Sequence, residues 1–160
     1  MTVDRFLSTV RTRLRDELKE EYTDSELIDY LNDAISSVSM KHIMLKNPEF
    51  INELVFTGGN EQIPDDFVKF VSEYPVYLIG RNIKSYYPLI ESIELRYYQT
   101  FPFVISLTDE IKFREPYVSE VILLTTKLAL GKNGYDLTQE DKDLANYSSI
   151  LQGAIDERSN

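Results

Sequence analysis

The sequence predicts a mainly α domain: a helix hairpin plus central and C-terminal helices forming a bundle, with one or two projecting β-hairpins. Three observations predict it. Apolar residues recur at three- and four-residue steps in the first and last thirds of the chain. Tyr117 to Leu130 is apolar almost all round, as a helix at the centre of a bundle would be. Between these regions, short extended runs alternate with glycine turns.

Residues 2–20 read as the first helix, capped by Thr2. Val3, Phe6, Leu7, Val10, Leu14 and Leu18 share its apolar face, and Arg5, Arg11, Arg13, Arg15 and Lys19 lie opposite with Asp16, Glu17 and Glu20. Thr23-Asp24-Ser25-Glu26 fits a capping box, in which hydroxyl and carboxylate each satisfy an orphan backbone N–H. The second helix buries Leu27, Leu31, Ala34, Ile35 and Val38, runs towards Met44, and is stopped by Asn47-Pro48. With two residues between them, the helices are expected to pack as an antiparallel hairpin.

In the middle third, Glu53–Phe56 is extended, Thr57–Asn60 a turn and Glu61–Pro64 a return strand. Asp65-Asp66-Phe67 starts a short helix through about Val71. Tyr74–Ile79 and Ile83–Tyr87 form a second hairpin about Gly80-Arg81-Asn82, with Pro75 marking an edge strand. Leu89 to Tyr98 reads as a helix with Leu89, Ile90, Ile93 and Tyr97 on one side. Thr100 to Phe113 is mostly extended, turning at Thr108-Asp109-Glu110. Pro116 suits a first helical position, and Gly131–Gly134 stops that helix. Thr138 caps the last helix, whose stripe is Leu144, Tyr147, Leu151, Ala154 and Ile155, and the tail 156–160 frays. The chain reads as a single domain, with its helical core at about 2–46 and 115–156 and a hairpin-rich middle at about 51–113.

Composition narrows the chemistry. The 160 residues include no cysteine, which excludes a disulfide framework, a zinc–thiolate site, an iron–sulfur cluster and a thiol nucleophile. Acids outnumber bases 27 to 17, so the chain gains nothing from counterion release on nucleic acid and is repelled by anionic membranes. No run of 18 apolar residues and no signal-peptide layout is present, so a soluble protein is expected. His42 is the single histidine, flanked by Met40, Ile43 and Met44, and reads as a structural side chain. Gly131-Lys132 follows a helix and lacks the upstream glycine of a phosphate loop. Gly58-Gly59 is a hairpin turn. Paired acids at Asp65-Asp66, Asp109-Glu110 and Glu91 with Glu94 leave an acid-pair hydrolase as a minor reading.

Tyr74, Tyr77, Tyr86, Tyr87, Tyr97, Tyr98, Phe101 and Phe103 crowd into thirty residues. They form either a second core layer or an interface, because tyrosine offers much contact area and tolerates partial exposure. Adjacent pairs place their rings on diverging faces and do not easily enter one core. The candidate interface is Phe56, Tyr74, Tyr77, Tyr86, Tyr87, Tyr97 and Tyr98. Residues 21–33 carry five acids and no base, and 136–160 six acids against two bases. Acidic ends and a basic first helix suit head-to-side contact between copies.

The order of these pieces resembles head-to-tail adaptor (connector, or neck) proteins of tailed bacteriophages. The resemblance is carried by Leu27-Ile28-Asp29-Tyr30-Leu31-Asn32-Asp33-Ala34, by Leu54-Val55-Phe56 with its glycine turn and Ile63-Pro64-Asp65-Asp66-Phe67, by Tyr87-Pro88-Leu89, and by Thr108-Asp109-Glu110-Ile111 leading to Pro116-Tyr117. It implies a structural virion protein without catalysis or cofactor. Such adaptors bind beneath the portal protein, form a dodecameric ring that extends the DNA channel, and present a surface to the next tail component or second connector. Expected localisation is the neck of the virion, assembled in the host cytoplasm. Acids facing the channel would repel phosphate across a Debye length of roughly 8 Å, so that DNA passes without being bound. Asp24, Glu26, Asp29 and Asp33 are the candidates, with the C-terminal helix as the other acidic surface. Segments 53–64 and the tail after Ile155 are the candidates for ordering on docking. A competing class is a non-enzymatic binding or regulatory module acting as monomer or dimer, its tyrosines forming one groove.

Overall fold

The computed structural model describes residues 1–88 and 92–158, with side chains to Gly153. Its elements run α1 (Val3–Leu14), α2 (Asp24–Met44), a single 3-10 turn (Pro48–Phe50), β1 (Ile51–Phe56), β2 (Phe67–Phe70), β3 (Val76–Ile79), β4 (Asn82–Ser85), β5 (Ile93–Gln99), α3 (Glu115–Lys132) and α4 (Thr138–Arg158). This is an α/β mix with two antiparallel sheets, not the mainly helical bundle predicted above. By chain contacts it divides into two compact units, Met1–Val38 with Phe103–Asn160, and Ser39–Pro102.

In the first unit α1 packs on α3, and α3 on α4. The expected hairpin of α1 on α2 is not among the main helix contacts; α3 is instead the common partner of α1 and α4. Thr2 caps α1, accepting the Arg5 backbone N–H at 3.4 Å. The helix ends at Leu14, well before residue 20, because Arg15 turns left-handed at φ 59°. Beyond it the Asp16 carboxylate accepts the backbone N–H groups of Glu20 (2.8 Å), Glu21 (2.9 Å) and Tyr22 (3.3 Å), wrapping the chain around itself. Leu18, expected on the apolar stripe, is therefore 81% exposed.

The capping box of α2 forms as read: Thr23 Oγ1 accepts the Glu26 N–H, and Glu26 accepts the Thr23 N–H at 2.9 Å. Leu27, Leu31, Ala34, Ile35 and Val38 are all buried. Tyr22 fastens the start of α2 to the end of α3, its hydroxyl donating to the Ala129 carbonyl at 3.0 Å and accepting from Asn133 at 2.9 Å. Helix α3 is central, with Tyr117, Val118, Val121, Ile122, Leu123 and Ala129 buried. Asp136, not Thr138, caps α4, accepting the Thr138 N–H at 3.0 Å. Of the stripe on α4, Leu151 is buried, Leu144 and Tyr147 are half-buried, and the side chains of Ala154 and Ile155 lie outside those described. Backbone helix continues to Arg158, into the tail expected to fray.

In the second unit the order β1-β5-β2 makes a three-stranded sheet, and β3-β4 a separate hairpin. Four expectations change here. Residues 61–64 do not return along β1. The Glu61 carboxylate instead closes the turn on the Thr57 N–H at 3.1 Å and on the Thr57 hydroxyl. The Glu61 carbonyl then accepts from Ile83 (2.9 Å), and the Ile63 N–H donates to Arg81 (2.8 Å). The expected short helix from Asp65 is strand β2. The expected helix from 89 to 98 is strand β5, with Leu89, Ile90 and Glu91 outside the described residues. The fourth concerns tyrosine. Tyr97 and Tyr98 are adjacent yet both buried: Tyr97 continues the inward row of Ile93 and Leu95 and meets the Phe67 ring, while Tyr98, on the face where Glu94 and Arg96 are exposed, lies under the Lys69 ammonium, 5.5 Å from its ring centroid.

Phe56, Leu95, Val76 and Ile83 form one buried cluster, with Leu54, Ile63, Phe70, Tyr74 and Ile93 packed against it. The inner face of the β3-β4 hairpin thus closes on the three-stranded sheet. The β3-β4 hairpin itself matches the sequence reading, turning at Gly80 with φ 59°.

Candidate interaction surfaces

Strand alternation sorts the hairpin residues. Register pairs Val76 with Ser85, Tyr77 with Lys84, Leu78 with Ile83 and Ile79 with Asn82. Val76 and Ile83 face the core, so Tyr77, Ile79 and Lys84 share the outer face. Tyr86 joins them, its ring centroid 4.8 Å from that of Tyr77. Ile79 and Tyr86 are 57% and 62% exposed, and Tyr87 beyond them is 72% exposed. Lys84 Nζ donates to Asn60 Oδ1 at 2.7 Å, which holds the ammonium on this face without neutralising it. Segment 74–88 contains Arg81 and Lys84 and no acid, in a chain of net charge −10. Arg81 is paired with Asp65 at 2.6 Å.

The seven candidate interface residues therefore separate. Tyr77, Tyr86 and Tyr87 are exposed together. Phe56 is fully buried, Tyr97 and Tyr98 are nearly so, and none of these three offers a docking surface. Tyr74 packs against Phe70 at 5.7 Å, and its hydroxyl accepts the Arg96 N–H at 2.9 Å. Burial and the nearby Asp66 carboxylate push the Tyr97 hydroxyl pKa up.

The four candidate acids separate as well. Asp24 binds Lys19 at 2.9 Å and Arg11 at 2.7 Å, which hold its carboxyl below the usual range. Glu26 is paired with Lys132, and that contact together with the Thr23 N–H and hydroxyl holds its pKa down to about 2. Asp29 and Asp33 are exposed, with no ion-pair partner among the described residues.

A second surface lies in the first unit. Ser25, Ile28, Asp29 and Asn32 of α2 and the segment 104–107 line an open cleft of about 440 Å³. Asn32 clamps that segment, donating to the Val104 carbonyl and accepting the Val104 N–H, both at 2.9 Å. Asp109 fixes the turn, accepting the N–H groups of Ile105 (2.7 Å) and Ser106 (3.0 Å) and the Ser106 hydroxyl (2.9 Å). These bonds depress the Asp109 pKa. The turn so held leaves Phe103 65% and Ile105 87% exposed. Sequence reasoning noticed Phe103 as one more aromatic and missed Ile105. The signal within reach was Ser106-x-x-Asp109, a pattern for a side-chain-capped turn.

The remaining motifs are structural. His42 is buried, stacked on Phe50 with centroids 5.2 Å apart and with Asn47 Nδ2 3.4 Å from Nδ1. Gly134, at φ 69°, follows the end of α3. A hydrolytic general acid needs a carboxyl with a raised pKa. Asp24, Glu26, Glu61, Asp109 and Asp136 are instead all shifted down by hydrogen bonds. Among the described residues, no three of His, Cys, Asp or Glu are grouped to hold a metal ion. No helix among them is long and apolar enough to cross a membrane. No protein-family model matches the chain, and no curated protein sequence is significantly similar to it.

Proposed function

We propose that this chain is a structural, non-enzymatic head-to-tail adaptor of a tailed bacteriophage. In this reading it binds the portal, forms a ring that extends the DNA channel, and docks the next tail component in the neck of the virion. No cofactor or metal enters the role. The observation that carries it is the outer face of the β3-β4 hairpin, where Tyr77, Ile79 and Tyr86 stand exposed as a group, with Tyr87 exposed just beyond the strand end. Clustered exposed tyrosines are costly to leave in water and characteristic of contact surfaces. The order of sequence pieces that resembles adaptors supports the same reading.

The acidic balance supports passage of DNA without binding. Ion pairing removes Asp24 and Glu26 from that task, since each is answered by a base of its own chain. Asp33 keeps an unanswered charge on α2, and α4 remains the other acidic surface.

The test is mass by light scattering of the protein alone and mixed with the portal protein from the same genome. A monomer that gathers into a fixed-stoichiometry ring on the portal is the expected result. No association with the portal would overturn the reading in favour of a binding module acting as monomer or dimer.

A further inference from the structure

We propose that copies of this chain join head to side, the outer hairpin face of one copy seating on the Phe103–Leu107 segment and its cleft on the next. The proposal deepens the adaptor reading and rests on it for closure of the repeated contact into a ring.

Both surfaces expose large apolar side chains on hydrogen-bonded backbone, and each carries one charge, of opposite sign. The hairpin offers Tyr77, Ile79 and Tyr86 around Lys84. The cleft offers Ile105 and Ile28 beside Asp29, a carboxylate without an ion-pair partner among the described residues. Among the described residues, Lys84 likewise meets an amide oxygen and no carboxylate. Pairing hairpin with hairpin sets Lys84 against Lys84, and pairing cleft with cleft sets Asp29 against Asp29. Like charges brought together in a desolvated contact are repulsive, so both symmetric arrangements are disfavoured. The unlike arrangement brings Lys84 to Asp29 and covers Tyr86 and Ile105 together. Little ordering is needed on docking, since Asn32 and Asp109 already fix one surface and the strand pairing fixes the other.

The chain has no cysteine, so introduced thiols are unambiguous. Tyr86→Cys and Ile105→Cys are made as separate proteins, both at exposed positions, with Thr9→Cys on the exposed side of α1 as control. Each is oxidised alone and in pairwise mixtures at high protein concentration. The expected result is a disulfide-linked dimer in the Tyr86→Cys plus Ile105→Cys mixture, several-fold enriched over either variant alone and over mixtures with the control. Adding Lys84→Glu to the first protein should abolish the enrichment, and adding Asp29→Lys to the second should restore it. Equal yields in all mixtures, or a dominant Tyr86→Cys self-adduct, would overturn the contact. Its failure is separable from that of the adaptor reading: a portal-bound ring without this adduct removes the contact alone, and the adduct without portal association removes the adaptor role alone.

Discussion

Arg11 Nη1 and Asp16 Oδ2 lie 2.5 Å apart, with side chains only 4% and 2% exposed. Arg11 also reaches Asp24 at 2.7 Å, so one guanidinium joins the end of α1, the turn after it and the first residue of α2. Removing one partner of a buried pair leaves the other charged in a poorly solvated place. Asp16→Ala further frees three backbone N–H groups. Its expected cost is about 3–5 kcal/mol, read from urea denaturation. A loss of under about 1 kcal/mol, the range of exposed pairs, would mean that the network is solvated.

Acid should act on this unit through Glu26. Its pKa is held at about 2, below the ordinary 4.5, first by the Lys132 ammonium and then by Thr23. A group with a depressed folded-state pKa stabilises fully above its unfolded value and loses that stabilisation as pH falls through the folded value. The window therefore runs from pH 4.5 down to about 2. In melting temperature against pH, Glu26→Gln should lie below the wild type at neutral pH. The two curves should converge at the acid end of the window. Parallel curves would show that the ion pair contributes nothing.

What the sequence made legible was mostly local. The Thr23–Glu26 box, the Thr2 cap, the buried stripe of α2 and the Gly80 hairpin depend on residues a few positions apart, and each formed. What it hid was non-local. Strand β1 pairs with β5, Ile51 opposite Tyr98, across an intervening hairpin, and no local pattern specifies that partner. Strand β5 keeps its alternation, with Ile93, Leu95 and Tyr97 inward and Glu94 and Arg96 exposed, but Ile93 and Tyr97 also stand four residues apart and so fit one side of a helix equally well. The candidate interface was half legible for the same reason. Aromatic density located the region, but only the strand pairing separates Tyr77 and Tyr86, on the outer face of the β3-β4 hairpin, from Tyr97 and Tyr98, on the central strand of the other sheet. Arg11 was placed on the polar face because its partner Asp16 lies beyond an unforeseen left-handed turn.

Burial predicts how the aromatic residues should divide on mutation. Phe56 is fully enclosed by Val76, Ile83 and Leu95, so Phe56→Ala should cost about 3–5 kcal/mol. Tyr97→Phe keeps the ring and removes the hydroxyl's bonds to Asp66, at 3.3 Å, and to Asn52, and should cost about 1 kcal/mol. Tyr87→Ser removes no core contact and should stay within about 0.5 kcal/mol of the wild type. Chemical denaturation of the three variants checks the order. A Tyr87→Ser loss comparable to that of Phe56→Ala would mean that Tyr87 belongs to the core.

The turn after Phe103 is set by one carboxylate, which makes its rigidity separable from global stability. Asp109 accepts the Ile105 and Ser106 amides and the Ser106 hydroxyl, while its own backbone carbonyl accepts the Val3 N–H at 2.9 Å. Asp109→Ala removes the side-chain bonds and keeps the backbone one. The amides of Ile105 and Ser106 should then exchange with solvent markedly faster, while those of buried α3 residues such as Val121 keep their protection. Uniform loss of protection would assign Asp109 a part in the whole unit's stability. Unchanged exchange at Ile105 would show that the Asn32 clamp alone holds the segment. In the expected case, the same variant should lower the yield of the Tyr86→Cys to Ile105→Cys adduct, because a mobile turn must be ordered before it can be covered.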